Sequence, residues 1–262
     1  MNDVKLFIFD FDGTALGGRI PYDMFPDEFC LTLDQLSDKG ILWATNTTWG
    51  VDAQFELINR SAVKSSPAIL SGGTGQEFAN IVDGKLVLNN EIMQKIAKED
   101  RIFRAEHFLR VRKICAKLIA DNLVKSLNFN QNDHSVISFW ANDSCKDLVW
   151  QNLVPLLDNG SYYVFEPGIM SKNMLLPYYM NKGSSVRIIQ QNLGINARNT
   201  IVAGDDVNDR HMFDPTITRY MICPANAHPS IKKIVESNNG IIAEKKYSFG
   251  LTEAIAKMGV IS

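Results

Sequence analysis

The chain has 262 residues, of which 45% are hydrophobic and 21% are charged, a composition typical of a folded globular protein. Its formal net charge of -2 provides no overall field that would attract nucleic acid or an anionic membrane surface, so we expect neither as a partner. No apolar run reaches the length of a membrane span, and residues 1–9 are too short and too acid-flanked for a signal peptide, which favours a cytoplasmic location.

The first predicted element is a buried strand, residues 6–9, that runs into the polar loop DFDGT, residues 10–14. A short apolar run that ends in acids and glycine is typical of a parallel strand buried on both faces. Open α/β sheets bind ligands beyond the carboxyl ends of such strands. Side chains two apart on extended backbone leave from the same face, so Asp10 and Asp12 can address one site, as a nucleophile and a proton donor. The alternative is an Asx turn with no function.

Helices and strands then alternate. The pattern predicts a helix from near Pro26 to Gly40, a strand at 41–44 followed by Thr45, a helix at 51–60 and a strand at 68–70. Short turns between such elements indicate an α/β fold with a doubly wound, parallel, Rossmann-like sheet.

The regular alternation of helices and strands ends after residue 82. An Asp83–Gly84 turn predicts a hairpin within 78–88, and residues 91–127 are expected to be largely helical. A strand at 135–141, a helix at 145–157 and strands at 162–165 and 174–179 follow. We interpret residues 83–178 as an α+β domain inserted into a discontinuous core domain, residues 1–82 and 179–262, because surface loops tolerate insertions.

The alternation of helices and strands that is typical of the core domain resumes after Lys182. The sequence predicts a helix at 184–193, a strand at 200–203 that ends in GDDVND (residues 204–209), a strand at 220–223, and helices at 229–240 and 249–258.

Four motifs, in this order, resemble those of the haloacid dehalogenase superfamily: DFDGT, Thr45 after the second strand, Lys182 before a helix, and GDDVND. The insert resembles, in position and element order, the type-IIB cap of Cof-like and sucrose-phosphatase-like phosphatases. DxDGT with GDxxND is a specific signal, whereas Thr45 or Lys182 alone carries no weight. Asn46 and Thr47 stand where Cof-like relatives usually have Gly-Arg, so substrate contacts cannot be carried over from relatives there.

The resemblance implies a phosphoaspartyl mechanism. Asp10 would attack phosphorus, while Asp12 would protonate the leaving oxygen and then activate water. Because a carboxylate repels an anionic ester, a cation must lie between them, and Mg²⁺ suits oxygen ligands. Asp10, the backbone carbonyl of Asp12, and Asp205 would hold it, and Asp209 would orient one of its waters.

The resemblance also implies a phosphate site. Thr45, the Asn46 amide and Asn208 would bind phosphate oxygens, and Lys182 would neutralise charge on phosphate and on the nucleophile. Each residue has an alternative role: Thr45 as a cap, Lys182 as a solvated surface lysine, and Asp209 as the cap of a short helix.

The leading hypothesis is a Mg²⁺-dependent phosphomonoester hydrolase whose partner is a small soluble phosphate ester, with sugar phosphates as candidates. A sugar phosphomutase and a non-catalytic binding module with the same fold are the alternatives. We expect a monomer or weak homo-oligomer. The scattered cysteines show no zinc or redox spacing, which indicates buried free thiols: Cys30, Cys115, Cys145 and Cys223.

Overall fold

The computed structural model describes residues 3–18, 24–129, 135–165 and 173–261. The chain folds into two compact units, one formed by Met1–Met93 with Asn181–Ser262 and the other by Gln94–Met180. The fold class predicted from the sequence is confirmed: the larger unit is an α/β domain with a mostly parallel sheet, and the smaller unit is α+β. None of the described helices is both long and apolar enough to span a membrane.

The elements of the described residues have the following bounds. The strands are β1 (Leu6–Phe9), β2 (Leu42–Asn46), β3 (Ile69–Gly72), β4 (Glu77–Val82), β5 (Lys85–Leu88), β6 (Val124–Phe129), β7 (Ile137–Ala141), β8 (Tyr162–Phe165), β9 (Asn173–Pro177), β10 (Thr200–Ala203), β11 (Tyr220–Cys223) and β12 (Ile241–Ile242). The α-helices are α1 (Asp27–Asp38), α2 (Val51–Arg60), α3 (Asn90–Ala120), α4 (Lys146–Leu157), α5 (Lys182–Leu193), α6 (Pro229–Ser237) and α7 (Tyr247–Lys257).

The large sheet has the strand order β12-β11-β10-β1-β2-β3-β4-β5. The strands from β12 to β3 pair in parallel, and β4 and β5 join as antiparallel neighbours. In this register Phe9 lies opposite both Thr45 and Ala203. The residues that follow β1, β2 and β10 therefore emerge side by side at one edge of the sheet, the edge at which open α/β sheets bind ligands.

An aromatic layer lies under that edge. Phe7, Phe9 and Phe11 alternate along the chain and are fully buried, as residues two apart on one face of a strand should be. The ring of Phe9 lies 5.2 Å from that of Phe29 and 6.0 Å from that of Trp43, measured between centroids. Close-packed aromatic rings give the loop after β1 a rigid base.

The compact units have different boundaries from the predicted domains. Strand β5 pairs with β4, for example Asn80 with Val87, so the Asp83–Gly84 hairpin extends the large sheet and belongs to the larger unit. The division falls after Met93 and Met180, whereas the predicted insert spans 83–178. Sequence could place the hairpin, but the sheet to which it adds depends on long-range pairing.

The smaller unit contains an antiparallel sheet with the order β6-β7-β9-β8. Phe103 and Leu118 of α3 are buried in the same cluster as Phe139 and Leu153. The helix predicted over 91–127 was wrong at its end: α3 stops at Ala120 and residues 124–129 form β6, which pairs with β7. The sequence of β6, VKSLNF, does not alternate strictly between apolar and polar residues, and only its first residue, Val124, is buried. It therefore lacks the pattern that predicts a half-buried strand.

Candidate active site

Three aspartates converge at the carboxyl edge of the large sheet. Each of Asp10, Asp205 and Asp209 offers a carboxylate oxygen within 4.8 Å of the other two. Asp10 directly follows β1, and the other two lie beyond β10. Asp10 and Asp209 are 3% and 0% exposed, so the cluster holds acidic groups largely away from water, where unbalanced charge is costly.

Lys182 lies between two of these carboxylates. It is the first residue of α5 and is fully buried, so the alternative of a solvated surface lysine is wrong. Its Nζ lies 2.8 Å from Asp10 Oδ1 and 2.5 Å from Asp209 Oδ1. Burial alone would lower the pKa of Lys182, but attraction by the two carboxylates outweighs burial and raises it above its ordinary value. The lysine therefore remains charged inside the site.

The loop after β10 is organised by Asp209. Its Oδ2 accepts the backbone N–H groups of Asp205 and Asp206 at 2.8 and 3.0 Å. Asp206 caps the 3₁₀ helix Val207–Phe213 by accepting the N–H of Val207 at 2.7 Å. Asp209 thus completes a capping box with one oxygen while its other oxygen binds Lys182, so the capping role and the site role coexist.

Gly13 and Thr14 bring the β1 loop against Asp205. Thr14 Oγ1 donates to Asp205 Oδ1 at 2.8 Å. Gly13 has φ +76°, and a Cβ built there would lie only 2.1 Å from Asp205 Oδ2. Asn226 Nδ2 fixes the Gly13 carbonyl at 2.6 Å. Sequence reasoning gave no role to Thr14 or Asn226; the place of Thr14 in DFDGT was the available signal.

The electrostatics of the cluster favour a cation. Three carboxylates share one lysine, which contacts only two of them. Burial first and then repulsion by Asp209 raise the pKa of Asp10 to about 7, against the attraction of Lys182. Burial, Asp209 and Asp10 raise the pKa of Asp205 to about 8. The donor set consists of oxygens alone, which suits a hard divalent ion such as Mg²⁺. Asp10 and Asp205 could hold such an ion. Its positive charge would favour the ionised form of both carboxylates and so lower their raised pKa values.

Asp12 lies outside the three-carboxylate cluster. Its side chain is exposed, unlike that of Asp10. Its Oδ2 accepts a hydrogen bond of 2.7 Å from the indole Nε1 of Trp49, a residue that sequence reasoning missed. The two aspartates of the DFDGT loop thus occupy different environments, which suits a nucleophile and a separate proton-transfer group.

Thr45 and Asn46 at the end of β2 are both fully buried. Thr45 Oγ1 donates to Gln54 Oε1 at 2.5 Å. The amide of Gln54 cannot be reversed, because its nitrogen donates to the carbonyls of Trp49 and Ser71 at 2.9 and 3.1 Å. The hydroxyl proton of Thr45 is therefore directed at Gln54, and Thr45 is not a helix cap.

The start of α5 is fixed residue by residue. Asn181 Oδ1 accepts the N–H of Ser184 at 2.8 Å, and the Lys182 carbonyl accepts from Asn46 Nδ2 at 2.8 Å. A Cβ on Gly183 would lie 2.3 Å from the carbonyl oxygen of His211, so only glycine permits this close approach. These contacts set the position from which the Lys182 side chain enters the site.

Asn208 is half-buried in the same loop as Asp205 and Asp209. Its Oδ1 is buried and has no hydrogen-bond partner among the residues that the structure describes. A buried polar atom of this kind is uncommon, which makes Asn208 a candidate for contact with a bound group.

The sequence model of the sucrose-6F-phosphate phosphohydrolase family matches residues 4–259 of this chain. No curated protein sequence matches it significantly.

Solved structures with the same fold include the sucrose-phosphatase of Synechocystis, in complex with sucrose and phosphate. It is 23% identical, has a TM-score of 0.63, and the match covers 99% of each chain. A haloacid dehalogenase-like hydrolase from Bacillus subtilis is 16% identical with a TM-score of 0.63, covering 100% of this chain and 97% of the other. A phosphatase of the superfamily from Bacteroides thetaiotaomicron is 14% identical with a TM-score of 0.63, covering 99% and 97%.

Proposed function

Because the chain belongs to the sucrose-6F-phosphate phosphohydrolase family of haloacid dehalogenase-like phosphatases, we propose that it hydrolyses a small soluble sugar phosphate with the help of Mg²⁺ and through a phosphoaspartyl group on Asp10. The observation that carries the proposal is the buried cluster of Asp10, Asp205 and Asp209 around Lys182. A phosphatase needs an anionic nucleophile and a means of tolerating an anionic substrate, and this cluster supplies the groups for both.

Asp10 is the proposed nucleophile. The Lys182 ammonium, 2.8 Å from Asp10 Oδ1, favours the ionised carboxylate and reduces its repulsion of the ester. Asp10 and Asp205, with the backbone carbonyl of Asp12, would hold Mg²⁺. Asp209 would position these groups without binding the ion itself, because it accepts the loop N–H groups and pairs with Lys182. When bound, the ion supplies positive charge between the carboxylates and the phosphate.

Asp12 is the proposed general acid and base. It would protonate the leaving oxygen as the bond to phosphorus breaks, and would then take a proton from the water that attacks the Asp10 acyl phosphate. Its position outside the cluster, with one oxygen bonded to Trp49, separates proton transfer from nucleophilic attack. The reaction releases the alcohol and inorganic phosphate and regenerates Asp10.

Phosphate oxygens would be bound by Lys182, the Asn46 N–H, Thr45 and Asn208. Lys182 supplies a full charge, which suits an anion in a buried site. The unpartnered Asn208 Oδ1 marks an amide whose nitrogen can turn toward phosphate. Thr45 would have to exchange its hydrogen bond to Gln54 for one to phosphate, so its contribution is smaller than that of a hydroxyl already free to donate.

A sugar phosphate is the proposed substrate class. The family name and the sucrose and phosphate bound in the Synechocystis structure support a sugar on the leaving side. The smaller unit, residues 94–180, is proposed as the cap that determines which sugar is accepted.

The experiment is a panel of sugar phosphates and p-nitrophenyl phosphate, assayed with Mg²⁺ for release of inorganic phosphate. Asp10→Asn should lower kcat by roughly 10³-fold or more, since removal of a nucleophile leaves only binding and electrostatics. Asp34→Asn is the matched control, because Asp34 accepts the backbone N–H groups of Lys64 and Ser65, and none of these residues belongs to the four motifs.

Chelation of divalent ions should abolish turnover, and added Mg²⁺ should restore it. An Asp10→Asn protein as active as Asp34→Asn would refute the role of Asp10. An isomeric sugar phosphate as product, instead of inorganic phosphate, would show a mutase.

A further inference from the structure

The side chain of Trp49 is bonded to the carboxylate of Asp12. The indole Nε1 donates to Asp12 Oδ2 at 2.7 Å, a short distance typical of a hydrogen bond to a charged acceptor. Trp49 lies in the segment after Thr45 that departs from the Gly-Arg pattern of Cof-like relatives, and none of the four motifs includes it. We propose that Trp49 is a positioning residue that sets which oxygen of Asp12 exchanges protons with the substrate; this rests on the proposed function.

The Trp49 backbone is held on one side by the end of β3. Its carbonyl accepts the N–H of Gly73 at 3.2 Å and Gln54 Nε2 at 2.9 Å. A Cβ on Gly72 would lie 2.5 Å from the same carbonyl oxygen, so the close approach requires glycine there. The backbone that carries the indole therefore has little freedom to move.

The Trp49 ring is held on its other side by packing. Its centroid lies 5.6 Å from that of Phe11, with the rings at 72° in an edge-to-face arrangement. Phe11 is fully buried and packs in turn against Phe9 at 6.1 Å. The indole N–H is thus presented to Asp12 from a fixed ring, although the Asp12 side chain itself is exposed.

This arrangement makes the two oxygens of Asp12 unequal. An indole N–H is a donor only, so the oxygen that it contacts must act as an acceptor. In the acid form of Asp12 the carbonyl oxygen is a better acceptor than the hydroxyl oxygen, so the indole favours the form with the proton on Oδ1, the oxygen that Trp49 leaves free. Without the indole, the carboxyl group can rotate and share the proton between both oxygens, and fewer encounters have the geometry for proton transfer.

The test compares kcat/KM of Trp49→Phe with that of the wild-type protein on two aryl esters. This substitution keeps an aromatic ring but removes the N–H. The value of kcat/KM covers steps up to departure of the leaving group, and protonation by Asp12 matters most when that group is a poor one. For phenyl phosphate kcat/KM should fall roughly tenfold, a fraction of the 10²–10⁴ that general acids supply, whereas for p-nitrophenyl phosphate it should change by less than about twofold.

Trp43→Phe is the matched control. Trp43 donates an indole hydrogen bond to Ser65 Oγ at 3.0 Å and lies in the core, so its loss removes the same kind of bond without touching Asp12. Its ratio of kcat/KM values for the two esters should equal that of the wild-type protein, even where the melting temperature falls.

A double-mutant cycle provides the second measurement. In an Asp12→Asn background, Trp49→Phe should change kcat/KM for either ester by less than about twofold, because the group that it positions is gone. An equal loss on both esters, or undiminished losses in the Asp12→Asn background, would assign Trp49 a purely structural role and overturn the inference. Wild-type protein that releases phosphate from neither ester and from no sugar phosphate would instead overturn the proposed function, and this role with it. If wild-type protein acts on sugar phosphates alone, the cycle is measured on the preferred sugar phosphate, and a loss in Trp49→Phe that persists in the Asp12→Asn background again overturns the inference.

Discussion

Replacement of Gly13 by alanine tests whether the position of Asp205 controls the reaction. The new Cβ would lie 2.1 Å from Asp205 Oδ2, whereas ordinary contact begins at 3.4 Å. The whole carboxylate group of Asp205 is in the way, with Cγ at 2.5 Å and Oδ1 at 2.6 Å, so the protein can fold only if this group swings aside by more than about 1 Å. That movement also breaks the hydrogen bond from Thr14.

We expect Gly13→Ala to lower kcat/KM for p-nitrophenyl phosphate by roughly 10²-fold, the loss that a misplacement of about 1 Å causes in an active site. Alanine at φ +76° adds a strain of about 1 kcal/mol, which alone lowers the melting temperature by about 2–4 °C. Loss of the hydrogen bond from Thr14 lowers it further. A Mg²⁺ titration should show a weaker apparent affinity, since Asp205 would no longer be in place to contribute an oxygen.

Gly40→Ala separates strain from displacement. Gly40 has φ +74°, and a Cβ there would meet nothing within 4 Å. Its melting temperature should fall by about 2–4 °C, the part that strain causes, with kcat/KM unchanged. If the two variants retain kcat/KM values within threefold of each other, the position of Asp205 does not matter and the reasoning fails.

Two further predictions concern buried and surface charge. Lys182→Met should lower the free energy of unfolding by about 3–5 kcal/mol, since it leaves two carboxylates buried without their cation. Denaturant unfolding without Mg²⁺ measures this loss. The control is Lys117→Met, which removes an exposed ion pair with Asp121 worth at most about 1 kcal/mol. Glu253 has its pKa lowered from 4.5 to about 2 by hydrogen bonds from Lys257 and two backbone N–H groups. Its stabilisation is therefore complete above pH 4.5 and disappears as the pH falls through 2, so the melting temperatures of wild-type and Glu253→Gln protein should differ at pH 7 and converge near pH 2.

Equal unfolding free energies for Lys182→Met and Lys117→Met would contradict the burial of the lysine between its partners. A gap between the melting temperatures of wild-type and Glu253→Gln protein that persists at pH 2 would show that ionisation of the Glu253 carboxylate is not its cause.

The sequence predicted the parts of the site that depend on local pattern. The apolar run before Asp10, and the polar residues after β2 and β10, place their side chains at strand ends, and parallel pairing brings such ends together. The pairing of Phe9 with Thr45 and Ala203 is what makes three distant stretches neighbours. The catalytic roles of these residues stay predictions.

Other contacts could not be predicted, because they depend on the path of a loop in three dimensions. The bond from Trp49 to Asp12 joins residues 37 positions apart, and no spacing rule links an indole to a carboxylate. Strand β6 was missed because its partner β7, rather than its own alternation, defines it as a strand. The hairpin of β4 and β5 was recognised, but the unit to which it belongs was decided by pairing with β3.

The anchoring of Asn181, Lys182 and Gly183 has a consequence for how this protein can diversify. The compact unit 94–180 ends one residue before Asn181, and these three residues are each held by contacts within the other unit. Sequence changes within residues 94–180 therefore leave these particular contacts of residues 181–183 intact. If residues 94–180 act as the proposed cap, chimeras that exchange them between relatives should keep the chemical step and acquire the substrate preference of the donor.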